Sequence, residues 1–180
     1  MKKQALVLAV AALAAGASFA QANDTLAKIK SSGTISLGVR DSSALSFTLG
    51  NGKYVGFHTE MGERIIADLS KAAGKELKIT YTPVTSQNRI PLVQNGTVDL
   101  ECGSTTNNAA RQKDVSFAIT TYVEEVRILT KANSGINGIE GLKGKTVATT
   151  TGTTSVQTLR RNKRAENLDF KEIMGKDHAD

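Results

Sequence analysis

Polar and apolar positions alternate at Thr34, Ile35, Ser36, Leu37, Gly38 and Val39, which predicts a half-buried strand. A short helix precedes it, Asp24 to Lys30, with Gly33 placed to end it. The strand delivers Arg40 at its carboxyl end, and Asn51-Gly52 signals a turn soon after. From about Thr59 to Ala73 the apolar residues Met61, Ile65, Leu69 and Ala72 recur every three or four positions, so a helix with one packing face is expected, stopped by Gly74. Leu77, Ile79 and Tyr81 alternate with Lys78, Thr80 and Thr82 in a second strand. Ser86 is placed to cap a short helix ending near Asn95-Gly96, and Val98 to Cys102 forms a third strand. A polar loop over Gly103 to Thr106 and a helical turn over Asn107 to Gln112 follow.

Phe117 to Leu129 is β-branched and extended, and reads as a crossover to a second domain. There Thr146 to Thr150 is a strand, Ser155 to about Asn162 a helix, and Asp169 to Met174 a strand ended by Gly175. Strands alternating with helices predict an α/β fold with a mostly parallel sheet. Two strands and one helix enclose a poor core, so the second domain is expected to continue past residue 180.

The amino terminus has a different pattern. Lys2 and Lys3 precede an apolar run from Ala5 to Ala15, and Ala20-Gln21-Ala22 offers a small-residue cleavage site. Residues 1–22 are therefore expected to be a secretory signal peptide, cut after Ala22 or Ala20. The run is shorter than the roughly 20 residues of a membrane span. The formal net charge of +6 is dispersed, with no basic block, and Trp is absent, so neither a polybasic membrane tail nor a base-stacking surface is indicated and nucleic acid is not an expected partner. With one cysteine and two histidines, His58 and His178, there is little from which to make a protein metal site, and no cofactor is expected. Cys102 is either a buried thiol or half of a disulfide.

In open α/β sheets ligands bind outside the carboxyl ends of the strands. At those ends this sequence places Arg40, then Ser86 and Arg89, then Ser104, Thr105, Thr106 and Arg111, then Thr151 to Ser155, then His178. Guanidinium forks match carboxylates, hydroxyls can donate to the same oxygens, and the loop from Gly152 to Ser155 would aim backbone N–H groups from a helix start. The recurrence points to a small anion, most simply one with two carboxylates. No G-x-S-x-G elbow is present. Asp99 and Glu101 are i, i+2 neighbours that read as polar residues on a partly solvated strand face, with an acid/base pair as the alternative.

The runs Thr85-Ser86-Gln87-Asn88-Arg89-Ile90-Pro91-Leu92, Gln94-Asn95-Gly96-Thr97, Glu101-Cys102-Gly103-Ser104-Thr105-Thr106-Asn107-Asn108 and Lys176-Asp177-His178 closely resemble the periplasmic glutamate/aspartate-binding proteins of amino-acid ABC transporters. That resemblance, to solute-binding family 3, covers nearly the whole chain after residue 22. It implies two α/β lobes joined by a hinge, a ligand trapped as they close, and delivery to an inner-membrane permease. Lobe one would span 23–123, and lobe two would begin near 124, incomplete in this chain, as would be the return to lobe one. The resemblance also implies roles. Arg111, helped by Ser104, Thr106 and Thr154, would hold the α-carboxylate of L-glutamate or L-aspartate, and Arg40, Ser86, Arg89 and His178 the side-chain carboxylate. Recognition of the ammonium group and a partner for Cys102 would come from further along. The segment Ala44-Leu45-Ser46 departs from a Pro-aromatic stretch common in the family. A monomeric periplasmic binding protein is expected; an exported dehydratase-like enzyme on the same fold, using Glu101 or His178, is the other reading.

Overall fold

The computed structural model describes residues 24–180, so the signal-peptide expectation lies outside the described residues. Asp24 caps helix α1 (Thr25–Ser32) by accepting from the Ala27 N–H, and Gly33 closes it in the left-handed conformation. Strand β1 (Thr34–Val39) follows. Next come the short strands β2 (Ser42–Ser43), β3 (Ser46–Gly50) and β4 (Lys53–Val55), then helix α2 (Phe57–Ala73). Strand β5 (Lys78–Pro83), helix α3 (Arg89–Gln94) and strand β6 (Leu100–Glu101) complete this part. After a long irregular segment come β7 (Thr146–Thr150), α4 (Thr154–Ala165) and β8 (Lys171–Gly175).

The expected parallel arrangement holds for both main sheets. β1 lies centrally, parallel to β5 on one side and β6 on the other, in the order β5-β1-β6. β7 and β8 pair in parallel across α4, from Thr146 with Lys171 to Thr150 with Gly175. Central position makes β1 the core of the larger part: Ile35, Leu37 and Val39 are buried with Ile29, Ile66 and Leu77.

Four details differ from the sequence pattern. A small antiparallel sheet, β2-β3-β4, replaces the unstructured approach to α2. Its last hairpin turns at Asn51-Gly52, both at positive φ, the conformation that two-residue hairpins require. The packing face of α2 is centred on Thr59, Gly62 and Ile66 rather than on Met61, Ile65 and Ala72; Ile65 and Ala72 are exposed. Gly62 explains the rotation. A Cβ there would lie 2.9 Å from Leu37 Cδ1 and 3.2 Å from Cys102 Sγ, so the missing side chain lets the helix seat on β1. The third strand is confined to Leu100–Glu101, although the Asp99 and Cys102 N–H groups still donate to Ser36 and Gly38 of β1. Finally, the expected helical turn over 107–112 is a 3-10 turn over Arg111–Lys113.

The segment 117–129 makes no strand with any described residue, and Ile119, Val123 and Leu129 are exposed. One tether is His58 at the start of α2: its Nδ1–H donates to the Gly103 carbonyl at 2.5 Å, and its Nε2 accepts from the Thr121 hydroxyl at 2.9 Å. Among the described residues no helix is long and apolar enough to cross a membrane.

Candidate functional site

The carboxyl ends of β1, β5 and β6 bring three arginines together. Arg40 follows β1 and is fully buried; Arg89 opens α3 at 3% exposure; Arg111 sits in the 3-10 turn at 8%. Burial of three guanidiniums requires partners, and the surrounding loops supply part of them. Arg40 Nη2 donates to Ser86 Oγ at 3.2 Å and to Asp177 Oδ1 at 2.8 Å. Arg89 Nη1 donates to Ser104 Oγ at 3.3 Å. Arg111 donates to the carbonyls of Thr106, at 2.9 Å, and Gly152, at 3.1 Å. Arg40 Nε and Nη1 and Arg89 Nε are buried without a hydrogen-bond partner in the protein, so the cluster retains unused donors.

Ser86 is not the expected helix cap. Asn88 occupies the cap position of α3, exchanging hydrogen bonds with Thr85, while Ser86 turns inward to Arg40. A cap is a local signal, but the hydroxyl here answers a buried cation 46 positions away.

From the other side, the loop before α4 and the end of β8 close on this cluster. Thr153 caps α4 by accepting from the Val156 N–H. Thr154 and Thr106 share a hydroxyl hydrogen bond of 3.3 Å. Gly152 has φ 78°, and a Cβ there would stand 2.7 Å from the Ser86 carbonyl oxygen and 2.8 Å from Gln87 Cα. Only glycine permits this approach. His178 hydrogen-bonds through Nδ1 with Thr150 Oγ1 at 3.2 Å. The structure thus gathers Arg40, Ser86, Arg89, Ser104, Thr106, Arg111, Thr154 and His178 in one cluster.

The electrostatics follow from burial. Burial pushes Arg89 down to about 10, with the Glu101 carboxylate opposing the shift and the Arg111 and Arg40 charges adding to it. Arg111 is lowered too, by burial, again opposed by Glu101. Burial and the neighbouring Arg40 charge hold His178 below the ordinary histidine value, against the pull of Asp177. The Asp177 carboxyl is raised by burial, but the Ser42 hydroxyl, the His178 N–H and the Arg40 charge outweigh that and leave it lowered. Cys102, a free thiol packed under α2, is pushed up to about 11 by burial and by Glu101.

Two acidic residues have roles that the sequence pattern does not show. Asp177 is the counter-ion of Arg40 and also accepts from the Ser42 hydroxyl at 2.6 Å; the adjacent Lys176 and His178 are the only local hint of its role. Asp99 is not on a solvated face: it pairs with Lys28 at 2.8 Å, accepts from the Ser36 N–H at 2.9 Å, and has a buried side chain.

Residues 35–177 match the family model described as bacterial extracellular solute-binding proteins, family 3. The chain belongs to that family. It is 41% identical, over 96% of its own length and 60% of the relative's, to the glutamate/aspartate import solute-binding protein of Escherichia coli. It is 42% identical, over 87% of its length and 53% of the relative's, to the L-glutamate/L-aspartate-binding protein of Pseudomonas aeruginosa. The chain therefore spans a little over half the length of these relatives. Among solved structures, the solute receptor for L-cysteine of Neisseria gonorrhoeae superposes with a TM-score of 0.69 at 23% identity, covering 86% of this chain and 60% of that one. The cysteine-binding protein of Campylobacter jejuni gives 0.68 at 22% identity, covering 86% and 60%. The fold of this family 3 chain is accordingly the two-lobed, periplasmic-binding-protein-like α/β fold, represented in part.

Proposed function

We propose that this protein captures L-glutamate or L-aspartate in the cleft between two lobes and delivers it to an inner-membrane ABC permease. The observation that carries the reading is the convergence of three buried guanidiniums, with donors to spare, opposite the loop that opens α4. The names of the relatives at 41% and 42% identity support it, and support a binding protein over the enzyme reading. In this reading lobe one spans 23–123 and lobe two begins near 124. Arg111, with Ser104, Thr106 and Thr154, takes the α-carboxylate; Arg40, Ser86, Arg89 and His178 take the side-chain carboxylate. Residues 1–22 direct export to the periplasm, where the protein works as a monomer.

Capture is reversible closure without covalent chemistry. A ligand closes the cleft only through contacts it makes better in the closed state. Shifting a mostly open population to a mostly closed one needs about 5 kcal/mol of such preference. Charge-assisted hydrogen bonds contribute about 1.5–3 kcal/mol each, so a few from the arginine cluster suffice.

Calorimetric titration of L-glutamate and L-aspartate into the full-length mature protein tests this. We expect binding that weakens by about a hundredfold or more in Arg111→Ala, because a buried carboxylate loses its bidentate partner. A folded wild-type protein that gives no heat with either amino acid would sink the ligand assignment.

A further inference from the structure

Glu101 lies at the end of β6 beside the arginine cluster, and its surroundings are built for it. Gly38, its register partner on β1, carries no side chain; a Cβ there would lie 3.2 Å from Glu101 Cγ. Gly103 does the same at the tip, where a Cβ would lie 2.4 Å from Glu101 Oε1 and 2.8 Å from Arg40 Cγ. Neither glycine has positive φ, so each serves by leaving space rather than by adopting a special backbone. The carboxylate so accommodated has Oε1 buried and without a hydrogen-bond partner, and it forms no ion pair within salt-bridge distance among the described residues. Asp99, two residues earlier, shows what a structural carboxylate looks like here: a lysine and a backbone N–H satisfy it. Glu101 has instead the long-range company of Arg89 and Arg111, whose protonated forms its charge favours.

A buried, unpartnered carboxylate is costly unless its charge is needed. Arg40, Arg89 and Arg111 bring three positive charges to the cleft, and Asp177 offsets one. Without Glu101 these groups would carry one more net positive charge, a field that favours a dianion over a monoanion; Glu101 lowers that field by one unit.

We infer that Glu101 is a specificity-determining residue that matches the cleft to ligands of single negative charge, favouring an amino dicarboxylate over the same dicarboxylate without its ammonium group. This rests on the acidic amino-acid reading above and adds what selects within that class. Glu101 need not touch the ligand; its charge acts through a poorly solvated cleft, where an uncompensated charge is felt strongly.

L-Glutamate and glutarate differ by the ammonium group and by one unit of charge, so they separate charge matching from shape. Their dissociation constants would be measured by calorimetry with the full-length wild-type protein, Glu101→Gln, Glu101→Asp and Glu101→Ser. The serine variant serves as a second neutral replacement small enough for the space between Gly38 and Gly103. The wild type should prefer L-glutamate. The neutral variants should lower the glutamate-to-glutarate preference by about tenfold or more, while Glu101→Asp retains most of it. A purely structural role would weaken both ligands alike, and a preference unchanged within about twofold in a cooperatively melting neutral variant would overturn the inference alone. A wild type that binds neither L-glutamate nor L-aspartate would instead overturn the proposed function, and this inference with it.

Discussion

At the residue scale, the site is made of groups whose charge is costly to bury and is offset by specific neighbours. His178 is the titrating member near neutrality. Its value is lowered by burial and by Arg40, so the folded protein resists its protonation. The unfolded chain then binds more protons than the native state just below the ordinary value of about 6.5. Stability from this group is full above that pH and declines as pH falls below it. In the proposed binding mode the dependence runs the other way: a ligand carboxylate set against the imidazole would favour its protonated form, so binding would draw a proton and affinity would rise as pH falls. We expect L-glutamate to bind severalfold more tightly at pH 6 than at pH 8, and His178→Gln to flatten that dependence. Dissociation constants at the two pH values, with and without the substitution, decide it; a flat wild-type profile would place His178 away from the ligand.

At the scale of elements, strand ends and helix starts do the positioning. β1, β5 and β6 end at one edge and release Arg40, Ser86, Arg89 and Ser104 there; α4 starts opposite. Gly152 is the contact between these two sets that no side chain can replace, because a Cβ would meet the backbone of Ser86 and Gln87 rather than a movable side chain. Gly152→Ala also puts an alanine at left-handed φ, which costs about 1–2 kcal/mol. The variant should therefore lose at least about tenfold in ligand affinity with only a modest fall in melting temperature. Titration alongside thermal denaturation checks this, and unchanged affinity would mean that the loop does not close on Ser86 in the bound protein.

The ordering of these elements was largely readable from the alternation of apolar and polar residues, since strand ends follow directly from where alternation stops. What that pattern misjudged shares a cause. Periodicity alone points to another face of α2, because the decisive residue, Gly62, acts by lacking atoms, and hydrophobicity does not register a close approach. Ser86 carries the local signal of a cap, but its acceptor role answers Arg40, a partner remote in sequence.

At the scale of the whole molecule, the part built around β1 and the part built on β7 and β8 meet through few polar contacts among the described residues: Arg40 and Ser42 with Asp177, Thr106 with Thr154, and Arg111 with Gly152. These contacts lie at the candidate site, so a ligand seated there would reinforce the polar bridges between the parts. A ligand at a hundred times its dissociation constant adds about 2.7 kcal/mol to the folded state. For a protein of this size or somewhat larger that corresponds to a rise of about 5–10 °C in the melting midpoint. Scanning calorimetry with L-glutamate should show the rise, and L-alanine, lacking the second carboxylate, should not produce it.

The sequence by itself determined the parallel α/β character, the order of strands and helices and the basic and hydroxyl groups that follow the strands, because periodicity and side-chain chemistry are local properties. Tertiary structure alone decided which face of α2 packs, that Asp177 reaches Arg40 from 137 positions away, and that Glu101 is enclosed between two glycines beside three arginines. Those outcomes depend on distances between segments remote in the chain, and a pattern along the chain carries no distance.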